Sequence, residues 1–111
     1  MRHRVKEHTP IELDIEKDLI FLSVENVIDQ NTLKDYENKI EKGEEINLID
    51  VFKTRNRKNI LEDLNTSGLV PLIREAEEGE WMYIVTDGNH RATAHVNKKK
   101  NIPAYLIWVD K

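Results

Sequence analysis

Asp87-Gly88-Asn89-His90-Arg91 sets an Asp-Gly turn, an amide, an imidazole and a guanidinium in five consecutive residues. An apolar, strand-like run over residues 81–85 precedes them. A helix-forming stretch that begins Ala92-Thr93-Ala94 follows. The spacing therefore predicts a strand, a tight turn and the first turn of a helix. A helix start leaves backbone N–H groups unpaired and carries a partial positive charge. With His90 and Arg91 beside it, such a corner can hold a phosphate. No other part of the sequence is expected to bring so many hydrogen-bond donors together at one point.

Each of these residues also has an ordinary reading. Asp-Gly alone is a turn in which glycine tolerates positive φ and aspartate caps the helix. Asn89, His90 and Arg91 are not needed for a turn, and they tip the reading toward an anion. Asp87 can serve as helix cap, ribose contact or indirect Mg²⁺ ligand; the cap is the expectation. His90 and His95 are five apart and so fall off a common helical face, which argues against a zinc pair. His95 is expected to lie packed or exposed along the helix, and no metal site is expected.

The elements that must position this corner can be traced along the chain. Residues 1–17 are polar, include His3, His8 and Pro10, and read as an N-terminal arm or a short edge element. Residues 18–111 read as the domain. The apolar run over 19–24 fits a buried strand. Leu33, Tyr36 and Ile40 follow a helical period, with Asn31 or Thr32 as the cap and Gly43 as the stop. Residues 46–52 read as a strand, 53–59 as a basic connection, 60–64 as a short helix and 69–73 as a strand. Four acidic residues and Gly79 between 75 and 80 make a solvated hairpin loop. The helix after the turn should run about twelve residues and end at Lys98, Lys99 and Lys100, where cations suit the dipole. Residues 102–109 form a last strand. If it lies parallel to the strand at 81–86, the crossover should be right-handed. Trp81, Tyr83, Tyr105 and Trp108 sit at strand spacing and read as core or edge packing. The fold class is α+β: one small domain, a mixed β-sheet and two or three helices.

Composition narrows the partners. The chain has 111 residues, 39% hydrophobic and 34% charged, with 17 Lys plus Arg against 21 Asp plus Glu. A formal net charge of −4 argues against broad, non-specific DNA binding. The absence of cysteine excludes disulfides, thiolate catalysis and a cysteine-based zinc site. No apolar run approaches the roughly 20 residues needed to span a bilayer, and no signal peptide is read. The expectation is a cytoplasmic protein with no membrane partner.

At Asp87-Gly88-Asn89-His90-Arg91 with Ala94, and again at Ile102-Pro103-Ala104-Tyr105-Leu106-Ile107, the chain resembles the ParB/sulfiredoxin superfamily. Ile49-Asp50-Val51 and the hairpin before the motif fit more loosely. The resemblance covers residues 19–109, and its specific part is 81–107. It implies a ParB/sulfiredoxin-like fold and a nucleotide site that holds ATP, ADP or CTP, usually with Mg²⁺. Carried over, Gly88 gives close backbone approach, Asn89 and His90 donate to phosphate oxygens, and Arg91 bridges two of them. Sulfiredoxins keep a catalytic cysteine where this chain has Asn89, so sulfinic acid reduction is excluded. ParB proteins continue into DNA-binding and dimerisation regions that do not follow here, which argues against centromere binding by this chain alone. The free-serine kinase branch, with its Asp-Gly-His-His-Arg type motif, is closest in character. It implies an acidic base near the end of the first strand, and Glu25 is the candidate.

The leading expectation is thus a domain that binds a nucleoside di- or triphosphate, with phosphoryl transfer or NTPase activity left open. The alternative is a nucleic-acid-associated or partner-binding module, in which Arg55, Arg57, Lys58, Lys98, Lys99 and Lys100 would form a basic face on the motif side. A metal-dependent nuclease has the least support, because no clustered carboxylates are present.

Overall fold

Alternation along the strands sorts the apolar residues to two sides of one sheet. The computed structural model describes residues 4–23, 28–57 and 69–110. Its elements are β1 (Arg4–Leu13), β2 (Ile20–Leu22), α1 (Gln30–Glu41), β3 (Ile49–Arg55), β4 (Val70–Pro71), β5 (Trp81–Asp87), α2 (Asn89–Asn97) and β6 (Ile102–Asp110). The six strands form a single mixed sheet in the order β1-β6-β3-β5-β2-β4. The β6–β3 and β5–β2 pairs are parallel; β1–β6, β3–β5 and β2–β4 are antiparallel. An α+β domain with a mixed sheet is therefore what this sequence builds.

One face of the sheet carries Leu13, Ile20, Leu22, Ile49, Val51, Val85, Ile102 and Ala104, packed with Ala92 of α2. The alternate residues Phe21, Phe52, Met82 and Ile84 face the other way with Leu19, under Leu69 and Ala76. Each such side chain, once withdrawn from water, contributes about 1.5–3 kcal/mol before entropy is counted. Helix α2 lies on the sheet and α1 lies on α2. The two helices run side by side in the same direction. The Asp29 N–H donates to His90 Nε2 at their starts, and Lys98 pairs with Glu41 at their ends.

Several boundaries differ from the sequence reading. The arm expected over residues 1–17 is, from Arg4 to Leu13, an edge strand on β6, and Leu13 is only 1% exposed. The polar residues of this strand sit on an edge, where charge, Pro10 and a bulge between Lys6 and Thr9 suit the exposed side. Helix α1 is capped by Asp29 rather than by Asn31 or Thr32. The Asp29 carboxylate accepts from the Thr32 N–H at 3.0 Å and the Thr32 hydroxyl at 2.7 Å. Gly43 (φ 75°) closes this helix as expected, with Gly43 and Glu44 N–H donating back to Ile40 and Lys39. Helix α2 spans nine residues, not twelve. It stops because Lys99 adopts φ 57°, and the Lys99 and Lys100 N–H groups bond back to Val96 and His95. Strands β5 and β6 both pair with β3 but in opposite senses, so they are antiparallel to each other and no parallel crossover joins them. The short helix read at 60–64 lies outside the described residues.

The burial of Leu13 makes β1 part of the core. Leu13→Ala should destabilise the protein by about 2–4 kcal/mol in chemical denaturation, as large-to-small core changes do. A loss within the noise of the measurement would return residues 4–13 to the status of an arm.

Candidate functional site

The corner between β5 and α2 is fixed by a residue without a side chain. Gly88 sits at the N-cap of α2 with φ 102° and ψ 34°, the left-handed region. A Cβ there would stand 2.6 Å from Ile49 Cγ2 and 2.9 Å from Ile49 Cβ. Ile49 is fully buried and cannot yield. Position 88 therefore excludes a side chain on two grounds, backbone conformation and space.

No side chain caps the start of α2. Asp87, the expected cap, does not serve. Gly88 occupies the cap position, so Asp87 remains the last residue of β5. Its carboxylate lies 3.3 Å from Arg91 Nη2. Asp87 is 73% exposed, so this pair adds little stability. The opening N–H groups of α2 keep the partial positive charge that no carboxylate offsets through a cap.

Arg91 reaches back toward the residues that lead into β3. Its Nη1 donates to the carbonyls of Leu48 (3.0 Å) and Asn47 (3.2 Å). With the Asp87 contact, three of its N–H groups are engaged, which leaves Nε and one Nη2 proton. Beside the guanidinium is a small cavity of about 130 Å³, walled also by Tyr36, Lys39 and Asn47. Two cations, Arg91 and Lys39, and one carboxylate, Glu45, thus border one space large enough for a phosphate group.

His90 is oriented by α1. The Asp29 N–H donates to its Nε2 at 2.8 Å, so the proton of the neutral ring resides on Nδ1. Thr32, through its hydroxyl and amide, holds the Asp29 carboxyl below the usual carboxylate range. Asn89 presents a buried Oδ1 with no hydrogen-bond partner among the described residues. Its main-chain carbonyl accepts from the Thr93 hydroxyl at 2.8 Å. His95 is buried on α2, and its Nδ1 lies 2.7 Å from the Arg91 carbonyl oxygen. A carbonyl can only accept, so Nδ1 carries the proton. Burial pushes the His95 pKa down, opposed in part by that hydrogen bond and reinforced by the Arg91 charge.

Asp87, Gly88, Asn89, His90 and Arg91 are thus brought to one corner. Glu25 lies outside the described residues; β2 ends beside Val85 and α1 begins against His90. The basic residues do not gather at the corner. Arg55 stacks on Trp81 (4.3 Å) at the far end of β3, about 20 Å from its start for a seven-residue strand. Arg57 pairs with the buried Asp110, which also accepts from the Thr54 hydroxyl. Lys98, Lys99 and Lys100 follow the opposite end of α2, about 13 Å from its start. Lys58 is outside the described residues. Among the described residues, no group of three or more histidines and carboxylates could hold a metal ion. No helix among them is long and apolar enough to cross a membrane.

Sequence reasoning missed Asp29, Lys39 and the two carbonyls that hold Arg91. Asp29 with Thr32 three residues on was a legible capping signal. A main-chain carbonyl leaves no mark in the sequence.

No family model, no curated protein and no solved structure matches the chain.

Two predictions follow from this geometry. Gly88→Ala should cost on the order of 2 kcal/mol or more in denaturant titration, combining left-handed strain with a clash in the core; an unchanged midpoint would show that the turn relaxes freely. His95, buried neutral, takes up its proton more readily once unfolded. Its contribution is complete above the unfolded value of about 6.5 and is lost as pH falls through that value toward the lower folded one. Thermal melts over this window should show the wild type losing stability faster than His95→Gln as pH drops.

Proposed function

We propose that this protein binds the phosphate tail of a nucleoside di- or triphosphate (ATP, ADP or CTP, with Mg²⁺) at the corner formed by Asp87, Gly88, Asn89, His90 and Arg91. The observation that carries the reading is the start of α2: a nine-residue helix opening at a left-handed glycine, with no side-chain cap on its first amides. A phosphate oxygen can be received by those amides, and the left-handed glycine makes the tight turn that presents them. His90 supports the reading with a ring whose Nε2 is occupied, leaving the Nδ1 proton as its donor. Arg91 supports it with charge and two uncommitted N–H groups, and Lys39 adds a second cation across the small cavity. Mg²⁺ would ride on the phosphates, since among the described residues the carboxylate in contact with Arg91 is Asp87, and no group of three or more histidines and carboxylates could hold the ion. The same five residues carry the resemblance to the ParB/sulfiredoxin superfamily, in which this turn holds nucleotide phosphates.

Amide NMR spectra recorded during titration with ATP, ADP and CTP, each with Mg²⁺, test the reading. The N–H resonances of Asn89, His90 and Arg91 should move together and saturate. His90→Ala should weaken binding about tenfold, and Arg91→Ala by about 1.5–3 kcal/mol, the range for a lost hydrogen bond to a charged group. Saturating shifts elsewhere with these three amides unmoved would overturn it.

A further inference from the structure

A second cavity, of about 490 Å³, opens behind α2, away from the helix start. It lies between the turn after α1 and the loop that joins α2 to β6. His95 forms part of its wall, with Leu48 and Pro103 as apolar neighbours. Glu44, Glu45 and Lys100, all exposed, belong to its lining. His95 is only 7% exposed, yet its Nε2 has no hydrogen-bond partner among the described residues and is not fully enclosed. The proton sits on Nδ1, held by the Arg91 carbonyl at 2.7 Å. Nε2 therefore offers a lone pair at a fixed angle. A well-buried polar group that keeps one unmet acceptor beside a cavity asks for a donor.

We infer that this cavity binds a small aliphatic amine, whose ammonium group donates to His95 Nε2 and faces Glu44 and Glu45 while its carbon chain lies against Leu48 and Pro103. The charges favour a cation: two carboxylates stand against one ammonium, Lys100. The acceptors favour a donor: His95 Nε2 and both carboxylates accept, and a carboxylic acid would meet them with like chemistry. Burial, which lowers the His95 pKa, keeps the ring neutral and its lone pair available at neutral pH. The site uses none of the donors at the start of α2; Glu45 also lines the small cavity beside Arg91, and the His95 ring readout keeps the two sites distinguishable.

The test is a titration of the whole protein at neutral pH with n-butylamine and with putrescine, followed through the His95 ring resonances, with n-butanoate as the control of opposite charge. Both amines should shift the His95 ring and saturate; butanoate should not. The double variant Glu44→Gln, Glu45→Gln changes only exposed positions and should weaken amine binding severalfold. Lys100→Glu, also exposed, should strengthen it by about threefold, the scale of one surface charge interaction. A His95 ring unmoved by either amine would sink the inference. So would an equal response to butanoate, or affinities indifferent to the three rim substitutions.

Discussion

Between Val85 and Ala92 the chain must stop being a strand, turn and start a helix without leaving the core, since both residues are fully buried. The turn is possible because Gly88 brings no Cβ into the space that Ile49 fills. The contact sets more than a local bend. It places α2 against the sheet through Ala92, brings the beginning of β3 under the corner, and puts Arg91 where its guanidinium meets the Asn47 and Leu48 carbonyls. Those carbonyls stand just ahead of β3, outside its ladder, and would otherwise need water. The guanidinium is thus a brace between two segments far apart in sequence as well as a charge near the proposed phosphate.

The second layer is tied on by polar contacts at its ends. Helix α1 buries Leu33 but meets α2 through Asp29–His90, Glu37–Asn97 and Glu41–Lys98. The pairs near the ends of the helices are exposed, and exposed pairs of this kind contribute little each. The His90 contact is different in kind, because a ring nitrogen accepts a main-chain N–H at the first turn of a neighbouring helix. It couples the orientation of the imidazole to the position of α1. The helix that shapes the far side of the corner is thereby fixed by a residue of the motif itself.

Much of this was legible from the sequence, and the reasons are specific. The run over 81–85 and the helix after it were visible because apolar period and turn chemistry agree there, and Gly43 marked the close of α1 for the same cause. The strand at Arg4–Leu13 was obscured because an edge strand with charged residues and a proline lacks clean alternation, and Leu13, fully buried, lies at its end. Strand β4 is only Val70–Pro71, because β2, its partner, is itself three residues long. At the corner, residue types announced the donors, whereas the partners of Arg91 and the direction of the His90 ring depend on contacts across 43 and 61 positions. The stop of α2 at Lys99 was hidden because lysine rarely takes a left-handed backbone.

The sheet order has a temporal consequence. Among the described residues β1 pairs with β6 alone, and β6 is in turn inserted between β1 and β3. While the ribosome is still making the chain, the earliest strand has no partner until the last one has emerged. The ladder of β1 must wait for β6 before it can close. Such a distant pairing slows folding and prolongs the exposure of a sticky edge. The bulge and Pro10 in β1 thus guard the growing polypeptide at the stage when that strand stands alone.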